Sequence, residues 1–312
     1  MTVAAISQHA RRFVEGRLPD WVEPRWFSDK DELYRLLPEV EIGWFDGAGF
    51  GAMLDAPLHA QRLRWLNTFT AGVEAWPLED LRKRGVIFTN GTGVNDIAVA
   101  EYVILGMLVL AKQYHEVVRA QDHSEWLPDA PGKIELNGTR ALIVGAGAIG
   151  TRVAALLAPF EVHVTEVRRG AREGAIGADE WRDRLGEFDW VIVLVPATAD
   201  TNGMFGEVEF AAMKQGASIL NFARGSVLDQ PALIAAVNLG HLGGAFLDVT
   251  DPEPLPSDHP LWKCENIRIS QHLSGRSQTA LFARASQRFL ENLSRWEKGE
   301  ALLGTVDLDL GY

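Results

Sequence analysis

The run GAGAIG has a glycine spacing that can hold the pyrophosphate of a dinucleotide. Gly145 permits a tight turn, Gly147 lets the backbone approach the phosphates, and Gly150 allows close packing of helix on strand. Ala148 and Ile149 open that helix, whose N-terminus offers free N–H groups and partial positive charge. A glycine turn without a ligand has the same letters, but the position between a predicted strand and a predicted helix favours a nucleotide site.

Arg168 and Arg169 follow close to the ~20-residue spacing at which an NAD-binding fold carries an acidic residue for the ribose hydroxyls. An arginine there can bind a 2′-phosphate through two hydrogen bonds, whereas a carboxylate would repel it. The sequence therefore predicts NADP as the preferred cofactor, with NAD as a second candidate. The alternative is that both arginines belong to a solvated loop.

The composition predicts a protein of two domains that works in a reducing compartment. The 312 residues are 47% hydrophobic and 23% charged, as in ordinary globular chains with domains of about 150 residues. The net charge of −12 gives no reason to expect a nucleic acid or an anionic membrane as partner. Cys264 is the single cysteine, so no internal disulfide is expected. The N-terminus lacks the pattern of a signal peptide, and the longest apolar run, 99–110, is short for a membrane span; we expect a cytoplasmic protein.

Between Val22 and Thr89, short apolar runs alternate with helical patterns, which predicts an α/β unit with a parallel sheet. The predicted strands are EIGWF, LRWLNTF and VIFTN, and the predicted helices are DELYRLL and PLEDLRKRG. A long helix is predicted from Asn95 or Asp96 through Gln121. Its early part is apolar around most of its circumference, so we expect it to be buried, with a second subunit as a candidate cover.

A second α/β unit is predicted from about Asn137 onward. Its apolar strand patterns are TRALIVG, VHVTEV, DWVIVLVPA, ASILNFA, LGGAFLDV and NIRIS, and the helix TRVAALLAPF follows the glycine turn. The first of these strands is a continuous apolar run, as expected for a strand covered on both faces. A last helix is predicted from about Ala280 to Glu297. This second unit, which contains the glycine turn, is the predicted nucleotide domain.

The chain resembles the D-isomer-specific 2-hydroxyacid dehydrogenases. The resemblance rests on TFTAGVEAW, GTGVNDIAVAEY, GAGAIG, VLVPATADTNGMFGEVEFAAMKQGASILNFARGSVLD, GGAFLDVTDPEPLPSDHPLW and QHLSG, which occur in the family's order. It implies two Rossmann-like or flavodoxin-like α/β domains with parallel sheets and the active site in the cleft between them. We expect a discontinuous substrate domain, residues 1–96 and 275–312, and a dinucleotide domain, residues 97–274. The resemblance also implies a homodimer built around the helix after Asn95.

Three residues match the family's catalytic set: Arg224, Glu253 and His272. Reduction of a 2-keto acid needs a proton donor, and histidine suits this role because its charge changes near neutral pH. A carboxylate on the other ring nitrogen fixes the tautomer, and an arginine can hold the substrate carboxylate and stabilise charge on the keto oxygen. Each residue taken alone could be structural; three matches in order favour catalysis.

The resemblance assigns further contacts around this set. Backbone N–H groups in the turn Ala71-Gly72-Val73 are expected to bind the substrate carboxylate together with Arg224. Asp248 matches the residue that binds the nicotinamide carboxamide. Four more residues are expected beside the cofactor: Val195, Pro196, Phe222 and Ala223.

The sequence departs from the family pattern at a few positions. Gln271 stands where proline is usual before the histidine, and Glu161 replaces a usual glycine. Trp126 lies in a loop whose tryptophan, in some glyoxylate and hydroxypyruvate reductases, reaches the partner's active site; packing at the dimer seam is the alternative. The glycine-rich residues 47–51 have no assigned role, and the histidines show no metal-ligand spacing.

These observations predict an NADPH-preferring reductase that converts small 2-keto acids of the glyoxylate or hydroxypyruvate type to D-2-hydroxy acids. The first alternative is an NAD-dependent dehydrogenase for a bulkier D-2-hydroxy acid. The second is a non-catalytic nucleotide sensor, similar to the corepressors among the family's relatives.

Overall fold

The chain forms two compact units of α/β structure. The structure is a computed structural model and describes residues 1–168, 175–276 and 280–311. The first unit comprises Met1–Asn95 together with Arg276–Tyr312, and the second comprises Asp96–Gly275.

The first unit contains a five-stranded sheet in which every neighbouring pair of strands is parallel. Its strands are β1 Thr2–Ser7, β2 Val22–Phe27, β3 Ile42–Trp44, β4 Trp65–Asn67 and β5 Ile87–Thr89, in the order β2-β1-β3-β4-β5. Strand β1 pairs with both β2 and β3, and its residues Ala4, Ala5 and Ile6 are fully buried. The sequence patterns predict no strand at residues 2–7, so this inner strand of the sheet is known only from the structure.

In the described residues, five α-helices accompany this sheet, and the last of them comes from the C-terminal part of the chain. They are α1 Gln8–Val14, α2 Lys30–Leu36, α3 Phe50–His59, α4 Leu78–Lys83 and α10 Leu281–Lys298. Helix α10 is amphipathic, and its buried Phe289 packs against Trp44 and Trp65, with ring centroids 5.1 and 5.2 Å apart. These aromatic contacts with β3 and β4 explain why the C-terminal residues belong to the first unit.

The glycine-rich segment 47–51 is the turn that leads from β3 into α3. Gly47 has φ +101°, and a Cβ there would lie 2.6 Å from Ser7 Oγ and 3.0 Å from His9 Nδ1. Gly49, with φ +90°, immediately precedes α3. Both backbone conformations are ones that residues with side chains rarely adopt. The segment therefore has a structural role at the carboxyl edge of the sheet.

The second unit contains a seven-stranded parallel sheet. Its strands are β6 Arg140–Val144, β7 His163–Val167, β8 Ala175–Ile176, β9 Trp190–Val193, β10 Ser218–Asn221, β11 Gly244–Leu247 and β12 Ile267–Ile269. The order β12-β11-β10-β9-β6-β7-β8 reverses direction between β6 and β9. Doubly wound folds bind their ligands at such a switch point, outside the carboxyl ends of the strands. The predicted fold class, two α/β units with parallel sheets, is confirmed.

The long helix predicted after Asn95 is in fact two helices, α5 Asp96–Lys112 and α6 Tyr114–Asp122. Gln113 adopts a left-handed conformation, φ +46° and ψ +43°, which ends α5, and the two helices differ in direction by 73°. Short-range apolar periodicity does not reveal a break at one residue. In the described part of the chain no single helix is long and apolar enough to cross a membrane. Helices α5 and α6 taken together have the length and composition of such a span, but they form a bent pair.

Three more helices complete the second unit: α7 Ala148–Leu157, α8 Glu207–Ala212 and α9 Gln230–Asn238. Helix α5 buries Val103 and Met107 against the sheet, and a Cβ on its Gly106 would lie 2.8 Å from the Phe246 ring. The glycine therefore lets α5 approach β11 closely. Leu105 on the same helix is 47% exposed.

Candidate active site

The glycine turn GAGAIG joins β6 to α7 at the switch point of the sheet. Gly145 has φ +100°, and a Cβ there would lie 2.7 Å from the carbonyl carbon of Leu194. A Cβ on Gly150 would lie 3.0 Å from Ile143 Cγ2, whereas a Cβ on Gly147 would meet nothing within 4 Å. Two of the glycines are therefore required by the fold, and the open space at Gly147 leaves room for a ligand to approach the backbone.

This turn fits a dinucleotide. Gly147 is exposed and directly precedes α7, so the first N–H groups of that helix face an open approach. Helix N-termini of this kind bind phosphate through those N–H groups and the helix dipole. Ala148 and Ile149 are the first two residues of the helix, and their contact with the cofactor stays a prediction.

Arg168 lies one residue beyond β7 and its guanidinium is held by two neighbours. Its Nη2 lies 2.9 Å from Glu166 Oε2 and donates to Thr151 Oγ1 at 2.8 Å. Thr151 belongs to the first turn of α7, so Arg168 connects the end of β7 with the helix that carries the phosphate turn. Glu166 is a partner of Arg168 that the motif spacing does not predict. Arg169, the second predicted arginine, lies outside the described residues.

His272 and Glu253 form a hydrogen-bonded pair. His272 Nδ1 lies 2.7 Å from Glu253 Oε2, and Glu253 Oε1 accepts a hydrogen bond from the backbone N–H of Thr250 at 3.0 Å. Burial raises the pKa of Glu253, but the hydrogen bonds from His272 and Thr250 and the nearby positive charges outweigh it. The pKa of this carboxyl therefore lies below its ordinary value, and Glu253 is ionised at neutral pH.

Asp248 holds the loop that carries His272. It directly follows β11, is buried, and its Oδ1 accepts hydrogen bonds from Ser270 Oγ at 2.7 Å and from the N–H groups of Leu273 and Ser274 at 3.2 Å. Its Oδ2 accepts from the Ser274 hydroxyl. These bonds fix the backbone on both sides of His272. The contact predicted for Asp248, with a nicotinamide carboxamide, stays a prediction beside this loop-holding role.

Gln271 replaces the usual proline at a position where the backbone is left-handed, with φ +56°. Proline is restricted to φ near −65°, so it could not adopt this conformation. Glu161, the other departure, is left-handed as well, with φ +56°, and its carboxylate accepts a hydrogen bond from Asn137. Glutamate thus occupies a conformation that glycine would adopt at no steric cost.

Arg224 follows β10 and is half-buried. Asn221 organises this turn because its side chain donates to the Arg224 carbonyl at 2.9 Å and accepts from the Ala223 N–H at 3.0 Å. Gly225 is required by the fold, since a Cβ there would lie 2.0 Å from the carbonyl carbon of Thr250. This close approach brings the Arg224 turn against the residue that binds Glu253, and the charge of Arg224 contributes to the lowered pKa of Glu253.

The four residues predicted beside the cofactor lie just beyond β9 and β10. Phe222 and Ala223 are buried, and Phe222 donates its N–H to the Val193 carbonyl at 3.0 Å. Val195 is half-buried and Pro196 is exposed. All four therefore follow the carboxyl ends of strands that neighbour the switch point.

The turn Ala71-Gly72-Val73 lies in the first unit, after β4. Asn90 Nδ2 donates to the Ala71 carbonyl at 2.8 Å, and the Gly91 N–H donates to the Thr70 carbonyl at 2.7 Å. A Cβ on Gly91 would lie 1.8 Å from the Phe69 carbonyl oxygen, so only glycine fits against this turn. In the described ranges, the N–H groups of Ala71, Gly72 and Val73 donate to no protein acceptor. The turn is therefore held by its carbonyls and leaves its N–H groups for another acceptor.

Trp126 follows α6 and is 96% exposed. It lines a cavity of about 890 Å³ together with residues of α6 and of the loop that follows, including Tyr114, Leu127 and Pro131. A fully exposed tryptophan beside an apolar cavity is unusual for a solvated surface.

A dinucleotide-binding sheet with a histidine–carboxylate pair and an arginine after its strands defines the class of NAD(P)-dependent oxidoreductases. Residues 104–274 match the family model described as D-isomer specific 2-hydroxyacid dehydrogenase, NAD binding domain. The chain belongs to the D-isomer-specific 2-hydroxyacid dehydrogenases, which confirms the family predicted from the sequence.

Similar proteins extend the likeness over nearly the whole chain. A glyoxylate reductase of Thermofilum pendens is 32% identical over 286 residues, which cover 88% of this chain and 81% of the relative. A crystal structure of a D-isomer specific 2-hydroxyacid dehydrogenase family protein from Aeromonas salmonicida is 29% identical, with a TM-score of 0.85 and 99% of each chain covered. A family member from Xanthobacter autotrophicus, crystallised in complex with NADPH and MES, is 25% identical, with a TM-score of 0.79 over 100% of this chain and 99% of that one.

Proposed function

We propose that the protein is an NADPH-preferring reductase that converts small 2-keto acids of the glyoxylate or hydroxypyruvate type to D-2-hydroxy acids. The observation that carries this proposal is the hydrogen bond between His272 and Glu253. The pair lies in a chain that belongs to the D-isomer-specific 2-hydroxyacid dehydrogenases. Glyoxylate reduction is suggested by the relative from Thermofilum pendens, and NADPH by the relative from Xanthobacter autotrophicus.

In the proposed reaction, His272 is the proton donor. The carbonyl carbon gains a hydride, which the reduced nicotinamide supplies when it is bound, and the carbonyl oxygen gains a proton. Glu253 engages Nδ1 of His272, which leaves Nε2 as the ring nitrogen that delivers the proton. The carboxylate also stabilises the imidazolium that must be present before the proton is transferred.

Two groups bind the substrate in this proposal. The guanidinium of Arg224 holds the substrate carboxylate and stabilises charge on the keto oxygen. The N–H groups of Ala71, Gly72 and Val73 bind the carboxylate as well, which is consistent with the open donors of that turn. Asp248 keeps the His272 loop in place and has a second proposed role toward the nicotinamide carboxamide.

The proposed preference for NADPH rests on Arg168 and Arg169. Arg168 is anchored beside the phosphate turn by Thr151 and Glu166. A guanidinium has five N–H donors, so it can keep these bonds and still offer hydrogen bonds to a 2′-phosphate. The carboxylate of Glu166 acts against a bound phosphate, so the preference depends on the two arginines outweighing it.

The experiment is a panel of 2-keto acids assayed with NADPH and with NADH, followed by the absorbance of the reduced nicotinamide. We expect glyoxylate and hydroxypyruvate with NADPH to give the highest kcat/KM. A preference for NADH and a bulkier keto acid would favour the NAD-dependent alternative. Nucleotide binding without turnover of any keto acid would favour the non-catalytic sensor.

The protein is proposed to act as a cytoplasmic homodimer. Support comes from apolar side chains of the second unit that are exposed in the single chain: Leu105 on α5, Tyr114 and Val118 on α6, and Trp126 beyond them. Burial of such a group in an interface would be worth about 25 cal/mol per Å² of apolar surface. Two roles are open for Trp126, packing at this interface or entry into the active site of the second subunit.

A further inference from the structure

Asp46 is a buried carboxyl group that the proposed catalytic set does not use. It lies two residues beyond β3 in the first unit and is fully buried. Its Oδ1 accepts a hydrogen bond from Thr68 Oγ1 at 2.9 Å, and its Oδ2 accepts one from the Phe69 N–H at 3.3 Å. No salt bridge to Asp46 is found within residues 1–168, 175–276 and 280–311. Thr68 and Phe69 are neutral partners, although a buried charge is costly unless it is paired.

Burial raises the pKa of Asp46 to about 7, even though the hydrogen bonds from Thr68 and Phe69 lower it. Asp46 can therefore exist in both protonation states close to neutral pH. His9 in α1 is a titratable group at the same edge of the sheet, where it is hydrogen-bonded to Ser7 Oγ at 3.1 Å and borders Gly47.

A chain of hydroxyl groups leads from Asp46 into the turn proposed to bind the substrate. Thr68 Oγ1 lies 3.1 Å from Thr70 Oγ1 and accepts the Thr70 N–H at 3.1 Å. Thr70 Oγ1 lies 3.4 Å from the Gly72 carbonyl oxygen, to which it can donate. The contacts from Asp46 to Gly72 are therefore continuous and run through two hydroxyls.

We propose that Asp46 is a positioning residue that acts through the hydroxyls of Thr68 and Thr70 on the turn Ala71-Gly72-Val73 and sets its affinity for the substrate carboxylate. The proposal rests on the proposed function of that turn.

The direction of the hydroxyl chain depends on the proton of Asp46. When Asp46 is ionised, Thr68 donates to it, and the Thr70 hydroxyl divides its single proton between Thr68 Oγ1 and the Gly72 carbonyl. When Asp46 is protonated, it donates to Thr68 and Thr68 donates to Thr70. The Thr70 proton is then left for the Gly72 carbonyl alone. Protonation thus fixes the turn and removes a negative charge near the bound carboxylate, so both effects tighten substrate binding at lower pH.

The substitution Asp46→Asn separates this role from simple packing. The side-chain amide can donate to Thr68 Oγ1 and its oxygen can accept from the Phe69 N–H, as the protonated acid would. Thr70→Val cuts the chain at its second hydroxyl while preserving the shape of the side chain. Thr305→Val is the matched control, because Thr305 lies in the same unit and its hydroxyl donates to Leu302, away from the chain.

The test measures KM and kcat for glyoxylate at about pH 6 and pH 8 with saturating NADPH, and NADPH affinity by fluorescence. For the wild type and Thr305→Val we expect KM to rise about two- to tenfold from the lower to the higher pH, the range expected of one hydrogen bond. Asp46→Asn should keep a low KM at both pH values, and Thr70→Val should have a high KM at both. At each pH, the NADPH affinity and kcat of the variants should stay close to the wild-type values.

The proposal is overturned if Asp46→Asn keeps the wild-type pH dependence of KM, or if both variants lower kcat and NADPH affinity as much as they raise KM. Failure of the proposed function is a separate result, in which the wild type turns over no keto acid. In that case the backbone amide NMR signal of Gly72 tests whether Asp46 acts on the turn. It should titrate near pH 7 in the wild type and in Thr305→Val but not in Asp46→Asn, and a wild-type signal that is constant with pH overturns the proposal.

Discussion

His272 and Glu253 are joined by a hydrogen bond of 2.7 Å from ring nitrogen Nδ1 to carboxylate oxygen Oε2. The other Glu253 oxygen is held by the Thr250 N–H, and the loop of His272 is held by Asp248. Both members of the pair are therefore fixed by the backbone around them. Since Glu253 engages Nδ1, the pair presents a single ring nitrogen, Nε2, for proton transfer.

His272→Ala should lower kcat for keto-acid reduction about 10²–10⁴-fold, the usual contribution of general acid–base catalysis. The affinity for NADPH should survive, because His272 makes no contact with the phosphate turn. His163→Ala, at an exposed position on β7, is the control and should keep wild-type kcat. A His272→Ala enzyme with near-wild-type turnover would exclude His272 as the proton donor.

Glu253→Gln should retain measurable reductase activity but move the alkaline limb of its pH–rate profile to lower pH. The side-chain oxygen of glutamine can still accept the hydrogen bond from Nδ1, so the ring keeps most of its orientation. The negative charge that stabilises the imidazolium is lost, so the charged ring needed for proton transfer is held less strongly. The pH–rate profile of Glu253→Gln should be measured over about pH 5–9 and compared with that of Glu265→Gln, which changes an exposed carboxylate. An alkaline limb that stays in place would contradict the assignment.

Arg168→Asp should weaken NADPH binding about ten- to hundredfold, as expected for loss of a charge-assisted contact of ~1.5–3 kcal/mol. NADH should be used as well as before or better, because an acidic residue suits the ribose hydroxyls. Arg182→Asp is the control: Arg182 also pairs with a glutamate, Glu209, at 3.0 Å, but on a different element. Equal losses with both cofactors would show that Arg168 supports the local fold instead.

The protein should elute as a dimer and remain one at micromolar concentration. Trp126→Glu should weaken that dimer, because a charge would then be buried in the apolar surface around the cavity beside α6. Leu239→Glu is the control, since Leu239 is 84% exposed and lies at the end of α9. Size-exclusion chromatography with light scattering would measure the mass of each variant, and a stable, active wild-type monomer would contradict the prediction.

Sequence patterns predicted strands β3, β4 and β5 of the first sheet and every strand of the second sheet except β8, because most of these buried parallel strands are apolar runs. They failed where one residue decides the backbone. The left-handed Gln113 divides a helical pattern that is apolar on both sides, and its side chain gives no warning. Strand β1, residues 2–7, is short, and its apolar run TVAAIS at the N-terminus is not distinguished by sequence pattern from other short apolar segments.

The spacing of the motifs predicted the residues of the candidate site. It did not predict the contacts that hold those residues in place. Asp248 and Ser274 are far apart from each other in sequence, so only the fold shows that this aspartate holds the loop of His272. Glu166 stands two residues before Arg168, which puts both side chains on one side of β7 and makes their ion pair a signal that could have been found. Asp46 belongs to no sequence motif, and its proposed role is suggested by its complete burial.

Asp46→Asn should change how the stability of the protein depends on pH. The pKa of Asp46 is about 7 in the folded chain, against an ordinary value of 3.8. Between these two pH values the folded chain holds a proton that the unfolded chain has released. The stabilisation of the folded chain by this bound proton is therefore complete below about pH 4 and is lost as pH rises toward 7. Over that range the free energy of unfolding falls by at most ~1.4 kcal/mol per pH unit.

The amide introduced by Asp46→Asn cannot release a proton. The free energy of unfolding of the variant should therefore increase relative to that of the wild type as pH rises from about 5 to 7. Urea denaturation at both pH values measures the difference, and Asp20→Asn, at an exposed position, is the control. The gain should be absent in Asp20→Asn, because Asp20 is exposed and folding does not remove its carboxyl group from water. A free-energy difference between Asp46→Asn and the wild type that is the same at both pH values would mean that Asp46 is already ionised at pH 5 in the folded protein. The hydroxyl chain to Gly72 would then keep one direction across this range.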